Sequence, residues 1–511
     1  MPLLPNLPQE ILHHHNTPTT TTLHILTLST TLLSLSLLIY IIYTRFLNPI
    51  SRIPGPFWAS ISRLWLVRRS DKGHMHREFI DLHTKYGKLV RIGPNEVSVA
   101  DLDAILKIYG AGSKFRKSDW YSVWQGHRTF DLFAERNEII HGAQRRLVNN
   151  VYSMSSLKDF ESGVDTVIEQ FMQCMARQGP EAIVDMGKWM QLFAFDIIGE
   201  ITFSKPFNFL ETGTDGSAFQ QIENALRSAA WVGQVPWLYW VHDYLSPLIG
   251  SHLAITARHG TIRQIAAREV TDRKEKTQHN GEKHDLLSKL FDVQNKKEKQ
   301  LSDNDVLSMA ASNVFAGSDT TAISLRSIIY YLLKNPTCLS NLRDEIEDRK
   351  RQGRFSDPVK LDEANDMPYL QACMYEALRL HPAVGMNLPR VVPKEGIVID
   401  GCFLPGGTTV GVNPWVIHRD PSVFDDDVEA FRPERWLTEK TGDMKRYFFA
   451  FGGGARLCIG KNISWMEMSK MIPTLLNRFE IQLAEPDAEW KETCWWFVKQ
   501  EGVMVKLRPR S

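Results

Sequence analysis

At 511 residues and 43% hydrophobic content the chain can build one large core or roughly two to three ordinary domains, so size alone leaves room for a buried cofactor. Its 60 Lys and Arg balance 59 Asp and Glu to a formal net charge of +1, which removes the main argument for a dedicated nucleic-acid binder; any basic patch must be local. The 6 cysteines (Cys174, Cys338, Cys373, Cys402, Cys458 and Cys494) are widely spaced, with no CxxC pair for a zinc site or dithiol redox centre, and read as reduced thiols.

Residues 1–22 read as a polar N-terminal tail; its His13-His14-His15 run has metal-binding chemistry but is assigned no function. Residues 23–43 are almost entirely Leu, Ile, Ser and Thr, with no acid or base except His24. At about 1.5 Å per residue such a run reaches about 30 Å, enough to cross a bilayer as a helix whose hydroxyls bond back to the preceding turn. No Lys or Arg precedes it and no small-residue cleavage pattern follows, which argues for an anchor over a cleaved signal peptide. Arg45, Arg52, Arg63, Arg68 and Arg69 follow the span, so the positive-inside rule expects a lumenal tail and a cytosolic remainder. Residues 44–56, with Pro49, Pro54 and Pro56, read as a semi-rigid hinge, and residues 57–511 as one cytosolic domain.

Residues 89–92 and 96–99, flanking Gly93-Pro94-Asn95, predict a strand, a turn and a strand. From there to residue 378 the apolar spacing is mostly three and four, which predicts helices; among the polar stretches between them, residues 272–281 are the most charged and read as exposed. Ser302 with Asp305 forms a capping-box pattern and opens a helix of about thirty residues that Asn335-Pro336 stops. A second strong helix starts near Pro368 and ends at His381-Pro382. Residues 391–412 alternate around Gly396, Gly401 and Pro405-Gly406-Gly407, predicting short strands and turns. Asp425-Asp426-Asp427, in a Pro- and charge-rich loop, reads as a solvated turn. The expected class is mainly α with small β-sheets.

The most specific segment is Phe451-Gly452-Gly453-Gly454-Ala455-Arg456-Leu457-Cys458-Ile459-Gly460, followed by an apolar run of helical spacing over residues 463–475. The glycines let the backbone approach something flat and large, and Cys458 sits at the mouth of a helix, where free N–H groups favour a thiolate. Arg456 supplies a fixed cation for a nearby anion. A phosphate-binding loop is the rival reading, but its Lys-Ser/Thr ending is replaced by Cys458-Ile459-Gly460-Lys461-Asn462.

These residues resemble the haem-binding loop of cytochromes P-450, FxxGxRxCxG, matched at Phe451, Gly454, Arg456, Cys458 and Gly460. Three companions occur in the family's order. Glu376 and Arg379 share a helical face, alone no more than a surface ion pair; the resemblance implies that Arg435, in Phe431-Arg432-Pro433-Glu434-Arg435-Trp436, joins them in a buried network that fixes the cysteine loop. Ala316-Gly317-Ser318-Asp319-Thr320-Thr321 resembles the family's oxygen-binding groove, which implies a catalytic hydroxyl at Thr320 and a proton-relaying acid at Asp319; the plainer alternative is a hydroxyl bonded to the preceding turn. His141-Gly142-Ala143-Gln144-Arg145 resembles the WxxxR helix, with His141 in place of Trp, and Arg390 matches a cation after the ExxR helix; with Arg145 and Arg456 it would neutralise the haem propionates.

The resemblance implies a cytochrome P-450 fold behind one transmembrane helix, haem b with Cys458 as axial ligand to its iron, and a monooxygenase of hydrophobic small molecules. Only a short tail follows Cys458, so electrons are expected from NADPH through a separate cytochrome reductase in the endoplasmic reticulum membrane, with cytochrome b5 as a second candidate donor. The look is that of fungal microsomal members that tailor terpenoids, polyketides or alkaloids. The pocket is expected to be lined from residues 120–133, 231–244, Ala316, 384–388 and 495–497. A haem-thiolate isomerase or dehydratase and a haem sensor or carrier stand as alternatives, and Asp319-Thr320 argues against the first.

Overall fold

The computed structural model describes residues 20–257, 260–276, 284–296 and 301–510, and divides into two compact units, 1–52 and 53–511. The histidine run at 13–15 and residues 277–281 of the charged stretch lie outside the described residues. In the first unit, α1 (Thr20–Ile42) continues as one π-helical turn, Tyr43–Leu47. Its threonines bond backwards, Thr30 Oγ1 to Leu26 O at 2.9 Å and Thr31 Oγ1 to Thr27 O at 2.8 Å. The apolar span is Leu23–Leu47, mean hydropathy 2.2, so it runs past Tyr43 into what composition marked as hinge. It stops where it must, since Asn48 precedes Pro49 and is held extended at φ −63°, ψ 139°.

The second unit is helix-rich. β1 (Leu89–Gly93) and β2 (Glu96–Val99) form the expected hairpin, and α2 (Leu102–Tyr109) follows. β3 (Arg116–Lys117) and α3 (Glu138–Val148) come next, then α4 (Met186–Phe203) and α5 (Pro236–Ile249). The long helix is α6 (Asp303–Lys334), with Ser302 Oγ accepting from Asp305 N at 3.2 Å and Asp305 Oδ2 from Ser302 N at 2.8 Å, the capping box foreseen. α7 (Pro368–Leu380) has the predicted bounds. β4 (Arg390–Val391) and β5 (Thr409–Gly411) complete a sheet ordered β1-β2-β5-β4-β3, in which β2–β5 is parallel and the rest antiparallel. α8 (Lys461–Arg478) and a hairpin of β6 (Lys491–Trp495) and β7 (Phe497–Glu501) lie near the end of the chain.

α6 is buried along most of its length and packs on α4, α7 and α8, which makes it the spine of the core. Gly317 explains how α4 comes so close: a Cβ there would lie 2.9 Å from Ile198 Cδ1. In the charged stretch Asp272, Lys274 and Glu275 are exposed as expected, but Arg273 is drawn inwards; its guanidinium reaches buried Asp285 at 2.7 Å and Phe203 O at 2.8 Å. Contrary to expectation, Asp425 and Asp427 are not a free solvated turn, because Arg432, Arg435 and Lys440 converge on them.

Candidate active site

The cysteine loop is held at both ends. Cys458 N donates to Phe451 O at 2.9 Å, and Arg145 Nη1 on α3 donates to Leu457 O at 2.7 Å. Gly454, at φ +56°, lies so close to α2 that a Cβ would stand 2.0 Å from Tyr109 O, so only glycine fits. The Tyr109 hydroxyl in turn donates to Leu388 O at 2.5 Å and accepts from Val412 N at 2.9 Å. Gly460 caps α8. Cys458 carries exposed surface, yet protein encloses it densely enough that burial is the largest influence on its thiol, so that surface opens onto an interior space. The N–H groups of Gly460 and Lys461 and the charge of Arg145 favour the thiolate, but burial outweighs them and pushes the thiol up. The N–H groups at the helix mouth act in the direction the sequence argument expects.

Behind the loop, Glu376, Arg379 and Arg435 are completely buried and joined. Glu376 accepts from Arg379 Nε (2.8 Å) and Nη2 (2.9 Å), Arg435 Nε (2.9 Å), Trp436 Nε1 (2.8 Å) and Arg432 N (3.0 Å). Asp427 Oδ1 takes Arg435 Nη2 at 3.1 Å, which gives the acidic run its structural role. Burial works to raise the Glu376 carboxyl, but Arg379 and Arg435 prevail and hold it below the usual range.

On the other side of the loop lies a cluster of cations. Lys117 stands in register with Arg390 across β3 and β4, and Lys117, Arg145, Arg390 and Arg456 all bear on His141. Arg456 holds Glu138 through Nε (3.0 Å) and Nη2 (2.8 Å), while its buried Nη1 has no partner. Among the described residues no carboxylate pairs with Lys117, Arg145 or Arg390: Lys117 Nζ donates to Phe133 O and sits 4.1 Å from the Tyr121 ring centroid, and Arg390 reaches the Tyr121 hydroxyl at 3.2 Å. Burial and these charges drive the His141 pKa down to about 3, and its buried Nε2 lacks a partner. Burial first, and Arg390 next, push the Lys117 ammonium well below its ordinary range, so its charged form beside Arg390 is unfavourable without an anion between them. These residues fit a group that carries two carboxylates. Lys117, Tyr109 and Glu138 were not singled out from sequence; only the long-range pairing reveals them.

Facing the loop, α6 exposes Ala316 in the middle of an otherwise buried stretch, again onto interior space. Thr320 Oγ1 donates to Ala316 O at 2.8 Å, the back-bonded state, and keeps its lone pairs free to accept. Thr321 joins α8 through Ser464 Oγ at 3.0 Å. Asp319 accepts from Gln191 Nε2 and lines a recess of about 30 Å³ with the charged Glu223, Arg326 and Lys499 and the apolar Phe219, Trp495 and Phe497. Burial pushes its carboxyl up to about 6.

Trp120, Trp124, Phe133 and Phe315 gather around Trp496, whose indole stacks on Trp120 at 4.5 Å. Trp496 sits at the single-residue tip of the β6–β7 hairpin at φ +85°, a strained conformation held by its neighbours. Val384 bridges to Phe497, so residues 120–133, 384–388 and 495–497 converge, and Phe315, beside Ala316, touches Trp124. Residues 231–244 join them in part: a Cβ at Gly233 would stand 2.5 Å from Trp120 Nε1 and Trp240 Nε1 donates to Ser122 Oγ at 3.4 Å, while α5 turns Trp237 and Tyr244 outwards.

The cytochrome P-450 family model matches residues 52–507. The chain is 42% identical to cytochrome P-450 monooxygenase hepC of Aspergillus oryzae, over 89% of this chain and 91% of that protein. It is 39% identical to cytochrome P-450 monooxygenase cicH of Emericella nidulans (90% and 94%) and 36% identical to pisatin demethylase of Fusarium vanettenii (93% and 93%). Fold, cysteine loop and relatives agree, and the chain belongs to the cytochrome P-450 family of haem monooxygenases.

Proposed function

We propose that this is a membrane-anchored fungal monooxygenase in which Cys458 ligates haem iron and a hydrophobic natural product is oxidised with electrons from NADPH through a separate cytochrome reductase. The observation that carries the site is the buried, unneutralised positive charge beside an enclosed thiol. Lys117, Arg145, Arg390, Arg456 and neutral His141 would hold the two propionates, with Phe451, Gly454 and Gly460 bordering the ring. Cys458 would hold the iron as a thiolate, and the Gly460 and Lys461 N–H groups and Arg145 would favour the charge on Sγ. The haem supplies oxygen activation, and thiolate ligation favours O–O cleavage so that one oxygen atom enters a C–H or C=C bond while the other leaves as water. Thr320 offers an accepting hydroxyl on the cavity side. Asp319, with a carboxyl near 6, exchanges protons at physiological pH between the recess and α6. The Glu376–Arg379–Arg435 network is structural.

The aromatic wall around Trp496 supports an apolar, ring-containing substrate. The relatives are fungal proteins, in keeping with a fungal secondary metabolite such as a terpenoid, polyketide or alkaloid as substrate. The apolar span Leu23–Leu47 supports a single-pass anchor in the endoplasmic reticulum, with residues 1–22 lumenal and 57–511 cytosolic, close to the reductase and to cytochrome b5. The deciding experiment is the carbon monoxide spectrum of the reduced protein together with product formed per NADPH oxidised in the presence of reductase. A thiolate-type Soret band and turnover are expected; a histidine-type band in fresh protein overturns the site, and NADPH-independent turnover overturns the monooxygenase reading.

A further inference from the structure

The buried network and the cysteine loop need a physical connection, and none of the three network side chains provides one. Arg379 Nη1 donates to His418 O at 2.9 Å, Nη1 also to Val428 O at 2.7 Å, and Nη2 to Ala430 O at 3.1 Å; Arg435 is spent on Glu376, Phe424 O and Asp427. The connection runs through His418. Its Nδ1 lies 3.0 Å from Arg379 O, and its Nε2 lies 2.7 Å from Phe449 N. Phe449 opens the cysteine loop: its carbonyl accepts Gly452 N at 3.0 Å, and its ring packs edge-on against Tyr109 at 4.9 Å, beneath the Gly453-Gly454 turn.

The partners dictate the protonation state. Arg379 O can only accept and Phe449 N–H can only donate, so His418 must be neutral with its proton on Nδ1. The carbonyl of Arg379 is also one of those that α7 leaves without a partner inside the helix at its C-terminal end, and His418 satisfies it. The imidazole is completely buried and stacks on Phe448, with centroids 5.4 Å apart and planes 5° apart. Burial first, and Arg379 next, keep it unprotonated, in line with the geometry.

We propose that His418 is the positioning residue that transmits the register of the Glu376–Arg379–Arg435 network to the Cys458 loop, through one hydrogen bond to each. This rests on the assignment of Cys458 as iron ligand. His418 touches neither cofactor nor substrate; it fixes where the loop begins, and Phe451 O then fixes Cys458 N. Without the Nε2 acceptor a buried backbone N–H is orphaned and the loop gains a hinge at Phe449.

The test compares wild type, His418→Phe, which keeps a stacked ring but loses both hydrogen bonds, and Phe448→Leu, which removes the stack and leaves the bonds. Amide exchange of the segment containing Phe449 is measured on each holoprotein, alongside the rate at which the thiolate-type carbon monoxide band decays in mild urea. Exchange and decay should both be roughly tenfold faster, or more, in His418→Phe, and within about threefold of wild type in Phe448→Leu. Equal rates in His418→Phe and wild type overturn the proposal, as does an equal effect of Phe448→Leu, which would make packing the cause. Should His418→Phe not fold, wild type decides alone: protection of the Phe449 amide matching the interior of α8 supports the proposal, and exchange at open-loop rates overturns it. Failure of the ligand assignment looks different, because the wild-type band itself would then not be of the thiolate type while the exchange pattern stood.

Discussion

Replacing Glu376 tests the energetics of the buried network. Glu376→Ala removes five accepted hydrogen bonds and, among the described residues, the one carboxylate that touches Arg379, whose remaining partners there are the carbonyls of His418, Val428 and Ala430. Arg435 keeps Asp427 Oδ1 at 3.1 Å, so one of the two stranded guanidiniums is still partly neutralised. Breaking a fully buried ion pair by deleting one partner costs about 3–5 kcal/mol, and the surviving Asp427 contact points to the lower part of that range. Against a total domain stability of about 5–15 kcal/mol this shifts the folded population by two orders of magnitude or more. Urea unfolding followed by helix content and by haem absorbance should show a much lower midpoint, and little haem should survive purification. Glu376→Gln keeps the shape but not the charge and should resemble Glu376→Ala. Because the arginines hold the carboxyl below its usual range, its contribution is present above the unfolded carboxylate value and is lost as pH falls through the lower folded value. Full haem content and a wild-type midpoint in Glu376→Gln would refute the reasoning.

Cys458→Ala should abolish the thiolate-type carbon monoxide band while leaving helix content unchanged, which circular dichroism checks. Thr320→Ala should preserve haem binding and NADPH use but lower product per NADPH by roughly tenfold or more, with the missing electrons recovered as hydrogen peroxide; an unchanged ratio would reduce Thr320 to its bond with Ala316 O. Asp319 has a raised folded pKa of about 6, so its contribution to stability is full below the unfolded carboxylate value and declines as pH rises through 6; unfolding midpoints on either side of that value should show the decline, and Asp319→Asn should remove it. Deleting the chain up to Arg45 should release much of the protein from sedimented membranes, with exposed Trp237, Tyr244 and Leu248 retaining a fraction, and glycosylation of acceptor sites engineered into residues 57–511 would show the topology reversed.

Helices declared by local chemistry were legible. Ser302 with Asp305, Pro336, and Pro368 with Pro382 act on their immediate neighbours, and the bounds of α6 and α7 followed from them. The same holds for Cys458 and Gly460 at the head of α8. What stayed hidden depends on residues far apart in the chain. Lys117 is an unremarked lysine until β3 pairs with β4 and sets it opposite Arg390. Asp427 looks like part of a solvated turn until Arg435 arrives beside it. Tyr109 carries no motif, yet its carbonyl is what makes glycine obligatory at Gly454. Which side chains of residues 231–244 pack inwards and which face outwards was not legible, because aromatic side chains look alike in either place and only packing separates them.

The cation cluster around His141 bears on how this protein is made in the cell. Before its cofactor arrives, the chain holds Lys117, Arg145, Arg390 and Arg456 close together with Glu138 as the ion-paired partner of one of them, and this repulsion opposes closure of the fold. A ligand that binds only the folded chain adds stability in proportion to the logarithm of its free concentration. Newly synthesised protein should therefore mature at a pace set by haem supply, and chains left without it are the ones that chaperones and proteases find open. On the proposed assignment, the charge that would orient the haem would also serve as a checkpoint on biosynthesis, matching the amount of enzyme to the supply of iron and porphyrin.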